Sequence, residues 1–144
     1  MLRTGRLSQP GYTYLITCVV KDRGPVFADF QLGRLVVKEM RRLHDADRAQ
    51  SLAWVVMPDH LHWLFELRSG SLASVMQSLK GRSAFEVNKA YGAKTLEWQK
   101  GYYDYALRAE KDLVGMPGYV IANPVRAGLV ESEDDYPLWD SIWT

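Results

Sequence analysis

Cys18 is the one cysteine among 144 residues, so the chain has no internal disulfide and suits a reducing compartment. No apolar run approaches the roughly 18 residues that a helical membrane span requires. The opening MLRTGRLSQPGY carries basic residues with no apolar stretch behind them, so no secretory leader is expected. Repeats, low-complexity blocks and linkers rich in Gly, Ser or Pro are all missing. With 47% hydrophobic and 24% charged residues, the composition excludes a disordered or fibrous chain. A cytoplasmic protein with no membrane partner is expected, large enough to fold without a structural metal.

Basic residues are absent from the C-terminal end. Residues 1–130 carry all 18 Lys and Arg against 12 acids, a balance of +6, whereas residues 131–144 carry five acids, a balance of −5. The expected organisation is therefore one domain over 1–130 followed by an acidic, aromatic tail over 131–144. A basic body suits a polyanionic partner, because neutralising phosphates supplies most nonspecific nucleic-acid affinity. It equally suits an ordinary solvated surface. In the tail, Tyr136, Trp139 and Trp143 suit packing back on the domain, and the acids suit competing with DNA for its groove.

The β-branched and aromatic run YTYLITCVV, residues 12–20, predicts a buried strand. Asp29 can cap a helix carrying Leu32, Leu35, Val36, Met40 and Leu43 at helical spacing. SLAWVVM and HLHWLFEL, separated by Pro58 and Asp59, predict two antiparallel strands joined by a tight turn. Gly70 and Ser71 open a second helix with Leu72, Val75, Met76 and Leu79 on one face. WQKGYYDYALR predicts a fourth strand, and a further helix runs from about Asp112 to Asn123, ended by Pro124. This order predicts an α+β, ferredoxin-like split β-α-β sandwich: a four-stranded antiparallel sheet with helices on one face, plus an extra C-terminal helix.

His60 and His62 stand two apart in one strand, so both rings leave the same face. Two imidazoles so placed make half of a divalent-metal site, or a pair of partly buried, hydrogen-bonded, inert histidines. Tyr119 and Asn123, four apart in a helix, share a face. They suit a nucleophile beside an oxygen ligand, or a half-buried ring and a helix-ending amide. Trp63, Trp98, Tyr102 and Tyr103 suit core packing or base stacking.

MPDHLHWLF resembles the histidine–hydrophobe–histidine (HUH) strand of single-tyrosine transposases. YVIANPVRAGLV resembles their tyrosine helix in the form found in REP-associated tyrosine transposases. RGPVF at Arg23–Phe27, WQKGYYDYALR at Trp98–Arg108, and the order and spacing of these blocks extend the resemblance from about Tyr14 to Val130.

The resemblance implies an enzyme that nicks and rejoins single-stranded DNA, often folded into a hairpin. Tyr119 would be the nucleophile, forming a 5′-phosphotyrosine, and no nucleotide cofactor is implied. His60, His62 and Asn123 would hold Mg²⁺ or Mn²⁺, with Mn²⁺ the better match to imidazole. Lys80, Arg82, Arg41, Arg42 and Arg108 are candidate phosphate contacts. A monomer is expected over a homodimer. Two other readings are a non-cleaving hairpin-binding module of the same descent and a different HUH nuclease. The chain departs from the family pattern at Pro117 and Gly118, which predict that the tyrosine helix starts or kinks there. It departs again at Tyr105, where relatives often have His.

Overall fold

The computed structural model describes residues 8–107 and 110–141; within the latter, the side chains of 110–112 are not described. In chain order the elements are β1 (Thr13–Val19), α1 (Phe30–Asp45), β2 (Ala49–Met57), β3 (His60–Leu67) and α2 (Leu72–Tyr91). There follow β4 (Tyr103–Leu107), α3 (Glu110–Ile121), α4 (Asn123–Arg126) and β5 (Trp139–Ser141). Asp29 caps α1 through its carboxylate, which accepts from Gln31 N at 3.0 Å. Ser71 caps α2 in a reciprocal box with Ser74. Both caps satisfy backbone donors that a helix start leaves bare.

The strands form one antiparallel sheet in the order β4-β1-β3-β2-β5. Four of them have the expected split β-α-β order; the fifth, β5, corrects the four-strand expectation. It is three residues long and pairs with β2 through Ala53–Ser141 and Val55–Trp139. Its anchor lies just before it. Tyr136 and Leu138 are buried, the Tyr136 hydroxyl donates to Val56 O, and Leu138 reaches the notch that Gly33 leaves on α1. Trp139 Nε1 donates to Glu133 O, tying the acidic turn to the strand. The acids of this segment are therefore held beside β2 by its apolar residues; Trp143 lies outside the described residues.

Register separates the two sheet faces. Tyr14, Ile16 and Cys18 of β1 lie opposite Phe65, Trp63 and Leu61 of β3, all buried. This face packs against Val36, Met40 and Leu43 of α1 and Val75, Met76 and Leu79 of α2. Burying each such side chain contributes about 1.5–3 kcal/mol, so this layer is the main core. The other face carries Thr17, His62 and Val55 in one row across β1, β3 and β2. The C-terminal helix α3 touches β2, β3, β4 and β5.

Two sequence expectations for that helix change. Pro117 lies inside α3 and does not begin it. The helix breaks at Ala122, one residue before the expected end, and α4 resumes as a single turn with Pro124 in its first turn. The cause is Pro124, which has no N–H to give to Val120 O, a carbonyl that the Asn123 amide satisfies instead, yet fits the first turn of a new helix. The fourth strand is also shorter than WQKGYYDYALR, because Gly101 turns the chain at φ 78° just before it.

Candidate active site

His60 and His62 project from one face of β3 with ring centroids 4.7 Å apart and planes at 83°. Each ring is held by its Nδ1. The Asp59 carboxylate lies 2.7 Å from Nδ1 of His60, and the Thr17 hydroxyl 2.9 Å from Nδ1 of His62. A carboxylate or hydroxyl on one ring nitrogen sets the ring's orientation and leaves Nε2 as the free donor atom. Both residues are part-buried and hydrogen-bonded, as the inert alternative also expects.

Asp59 is itself oriented by Arg23, whose Nε donates to the other carboxylate oxygen at 2.9 Å. Arg23 reaches it from a tight turn, Lys21–Arg23, in which Asp22 and Arg23 both adopt left-handed backbone, φ 57° and 54°. Two successive non-glycine residues in that region store strain of order 1–3 kcal/mol each. Here the strain coincides with the support of a site. Burial opposes ionisation of Asp59, yet His60 and Arg23 hold its carboxyl below the usual range. Burial, then the charges of His60 and Arg126, push the His62 imidazole down to about 4. His62 is therefore neutral at physiological pH, the form in which imidazole binds a metal.

Tyr119 sits near the end of α3, 56% exposed, while its neighbour Val120 is buried and anchors the helix. The guanidinium of Arg126 lies over the Tyr119 ring, 4.1 Å from its centroid, and Nη2 donates to Tyr119 O at 2.8 Å. Asn123 gives its amide nitrogen to Val120 O at 2.8 Å, leaving its oxygen as an acceptor. Arg126 thus holds the Tyr119 ring from the turn of helix that follows it.

These residues fit a divalent cation: two imidazoles with free Nε2 atoms suit Mn²⁺ or a similar ion. Among the described residues no group of three His, Cys, Asp or Glu could hold a metal. A third protein ligand would therefore have to be of another type, such as the Asn123 oxygen.

The basic candidates lie elsewhere. Lys80 is half-buried, and its ammonium donates to Gln99 O at 2.8 Å and Gly101 O at 2.7 Å. It also feels Cys18, which places it on the core face of the sheet. Arg42 and Arg82 both pair with the buried Glu39 of α1, and Arg42 also reaches Ser78. Arg41 lines a cavity of about 350 Å³ between α1, β2 and β5, with His44 and Trp54. Arg108 lies outside the described residues. None of the four described cations stands on the histidine face. Of the aromatic candidates, Trp63 is fully buried, Tyr102 buried and Trp98 part-buried, whereas Tyr103 is exposed, as is its strand neighbour Tyr105. Register puts those two on the histidine face of β4, opposite Thr17 and Leu15.

Sequence reasoning missed Thr17, Asp59, Arg23 and Arg126 as site residues. For Arg126 a signal was available: it lies seven residues after Tyr119 and three after Asn123, hence on their helical face. For Asp59 the signal was adjacency to His60. Thr17 needed the register between β1 and β3.

Residues 8–114 match the family model described as "Transposase IS200 like"; the span includes both histidines and stops short of Tyr119. The chain is 28% identical over 133 residues to the REP-associated tyrosine transposase of Escherichia coli K12, covering 89% of this chain and 75% of that one. A putative REP-associated tyrosine transposase of Haemophilus influenzae is 27% identical over 99 residues, 61% of this chain and 56% of the relative. Among solved structures, a REP-associated tyrosine transposase bound to a REP hairpin superposes with a TM-score of 0.74 at 26% identity, covering 96% of this chain and 82% of that one. A putative transposase from Deinococcus radiodurans shares the fold, with a TM-score of 0.59 at 20% identity over 83% of this chain and 95% of its own.

Proposed function

This chain belongs to the IS200-like transposase family, and on that premise we propose that it nicks and rejoins single-stranded hairpin DNA through Tyr119. The observation that carries the reading is the pair of oriented histidines, each with Nδ1 engaged and Nε2 free, on the sheet face that α3 covers. The likeness to a transposase solved on a REP hairpin supports hairpin DNA as the substrate class.

His60, His62 and Asn123 would hold a divalent cation, which when bound polarises a phosphate oxygen and favours attack at phosphorus. The chain's own residues do the rest. Arg23 and Asp59 hold the His60 ring, and Thr17 holds that of His62. Arg126 holds the Tyr119 ring at the end of its helix. The Tyr119 oxygen forms a bond to phosphorus as the bond from phosphorus to O3′ breaks. The phenol proton is released, and the departing O3′ takes up a proton to become a free 3′-hydroxyl. The DNA is left as a 5′-phosphotyrosine ester, whose reversal by a 3′-hydroxyl rejoins the strand without a nucleotide cofactor. In the proposed monomer one chain supplies His60, His62, Asn123 and Tyr119.

Cleavage of an end-labelled hairpin oligonucleotide tests the reading. The wild type should cut with Mn²⁺, stop when EDTA is added, and fail when His60 and His62 are both replaced by Ala. Tight hairpin binding with no cleavage under any metal would favour the non-cleaving module instead.

A further inference from the structure

Arg126, on the turn of helix after Tyr119, is the candidate-site residue whose chemistry is least accounted for. Arg23, Arg42, Arg68 and Arg82 each face a carboxylate within ion-pair distance. Among the described residues Arg126 faces none, and it is exposed. Its one side-chain hydrogen bond among the described residues goes from Nη2 to Tyr119 O at 2.8 Å, and its guanidinium lies over the Tyr119 ring. A guanidinium carries five N–H donors in a planar fork. Stacking occupies its face and leaves the remaining in-plane donors available. A cation that stacks on the proposed nucleophile with in-plane donors free stands where it can meet a phosphate attacked by Tyr119.

We propose that Arg126 is a catalytic residue: it receives the scissile phosphate on its free N–H edge while its face keeps the Tyr119 ring aimed at phosphorus. This rests on the nuclease reading above and adds to it a phosphate clamp supplied by the tyrosine helix itself. Paired N–H···O bonds from arginine match phosphate geometry, and a lysine at the same place supplies charge without the fork. Removing one such donor from a developing phosphate charge costs on the order of 10²–10³-fold in rate.

The test is single-turnover formation of the protein–DNA adduct by the full chain. It compares wild type, Arg126→Ala and Arg126→Lys on two hairpin oligonucleotides, one natural and one with a neutral methylphosphonate at the mapped cleavage position. On natural DNA, Arg126→Ala should be slower by about 100-fold or more, with Arg126→Lys between the two. On the methylphosphonate the gap between wild type and Arg126→Ala should shrink to within about threefold, because the charge that Arg126 meets is gone. Because Arg126 is exposed, the variants should melt with the wild type. A gap of equal size on both backbones, or Arg126→Ala within about twofold of wild type on natural DNA, would overturn the phosphate contact and leave the nuclease reading intact. No adduct from the wild type on natural DNA would overturn both.

Discussion

The Thr17 hydroxyl on β1 lies 2.9 Å from Nδ1 of His62 on β3, in the register row that places both residues on one face of the sheet. That contact fixes how the His62 ring is turned, and it is the same kind of support that Asp59 gives His60. Replacing Thr17 by Val keeps the shape and removes the bond. Loss of such an outer partner typically weakens metal binding 10–100-fold. Titration of Mn²⁺ into Thr17→Val should show a drop of that size, and unchanged affinity would mean the hydroxyl does not orient the ring.

His62 also makes stability depend on pH. Its imidazole lies at about 4 in the folded chain against 6.5 when free, so between those values the unfolded chain binds more protons. Stability is therefore fully present above pH 6.5 and lost as pH falls toward 4, by on the order of 3 kcal/mol. Asp59, held below its ordinary 3.8, has the same sign but acts only below that value. Urea unfolding at pH 7 and pH 5 should show the loss in wild type and a clearly smaller loss in His62→Gln.

Lys80 is a structural cation. It closes the turn before β4 by donating to Gln99 O and Gly101 O, and burial lowers its pKa. Lys80→Met should destabilise the fold by about 1–3 kcal/mol, since two part-buried carbonyls lose a charged donor. It should leave the salt dependence of hairpin binding unchanged, whereas loss of a phosphate contact would reduce the slope by roughly one. A reduced slope would return Lys80 to the DNA contacts.

The history of Lys80 shows which parts of this molecule its sequence makes legible. Period-two runs bounded by Pro58–Asp59 and the caps at Asp29 and Ser71 display four strands and two helices directly, because local sterics and capping decide them. His60 and His62 are readable as a pair because alternation along a strand is local too. What a long flexible side chain touches is not local. Neither the carbonyls that engage Lys80 nor the buried Glu39 between Arg42 and Arg82 leaves a mark in their neighbours. The strand β5 was hidden for another reason: WDS is short and acidic, and its pairing depends on Tyr136 and Leu138 reaching β2 and α1. Pro117 inside α3 ran against helix propensity, with Val120 and Ile121 buried beyond it.

The segment after Val130 should accordingly be required for the fold. Leu138 is 1% exposed, and Leu138→Ala should cost about 2–5 kcal/mol by thermal or urea unfolding. A chain ending at Val130 loses Tyr136, Leu138 and β5 together and should be less stable than Leu138→Ala. A stable, cooperative protein ending at Val130 would show that the tail is dispensable.

The central claim is that Tyr119 becomes covalently joined to DNA. Wild-type protein and Tyr119→Phe should be incubated with a single-stranded hairpin oligonucleotide and Mn²⁺, and the products separated under denaturing conditions and sequenced as peptides. The account predicts a metal-dependent adduct in the wild type, with the nucleotide on the peptide containing Tyr119, and none in Tyr119→Phe. An adduct that persists in Tyr119→Phe, on Tyr103 or Tyr105 for example, would contradict it.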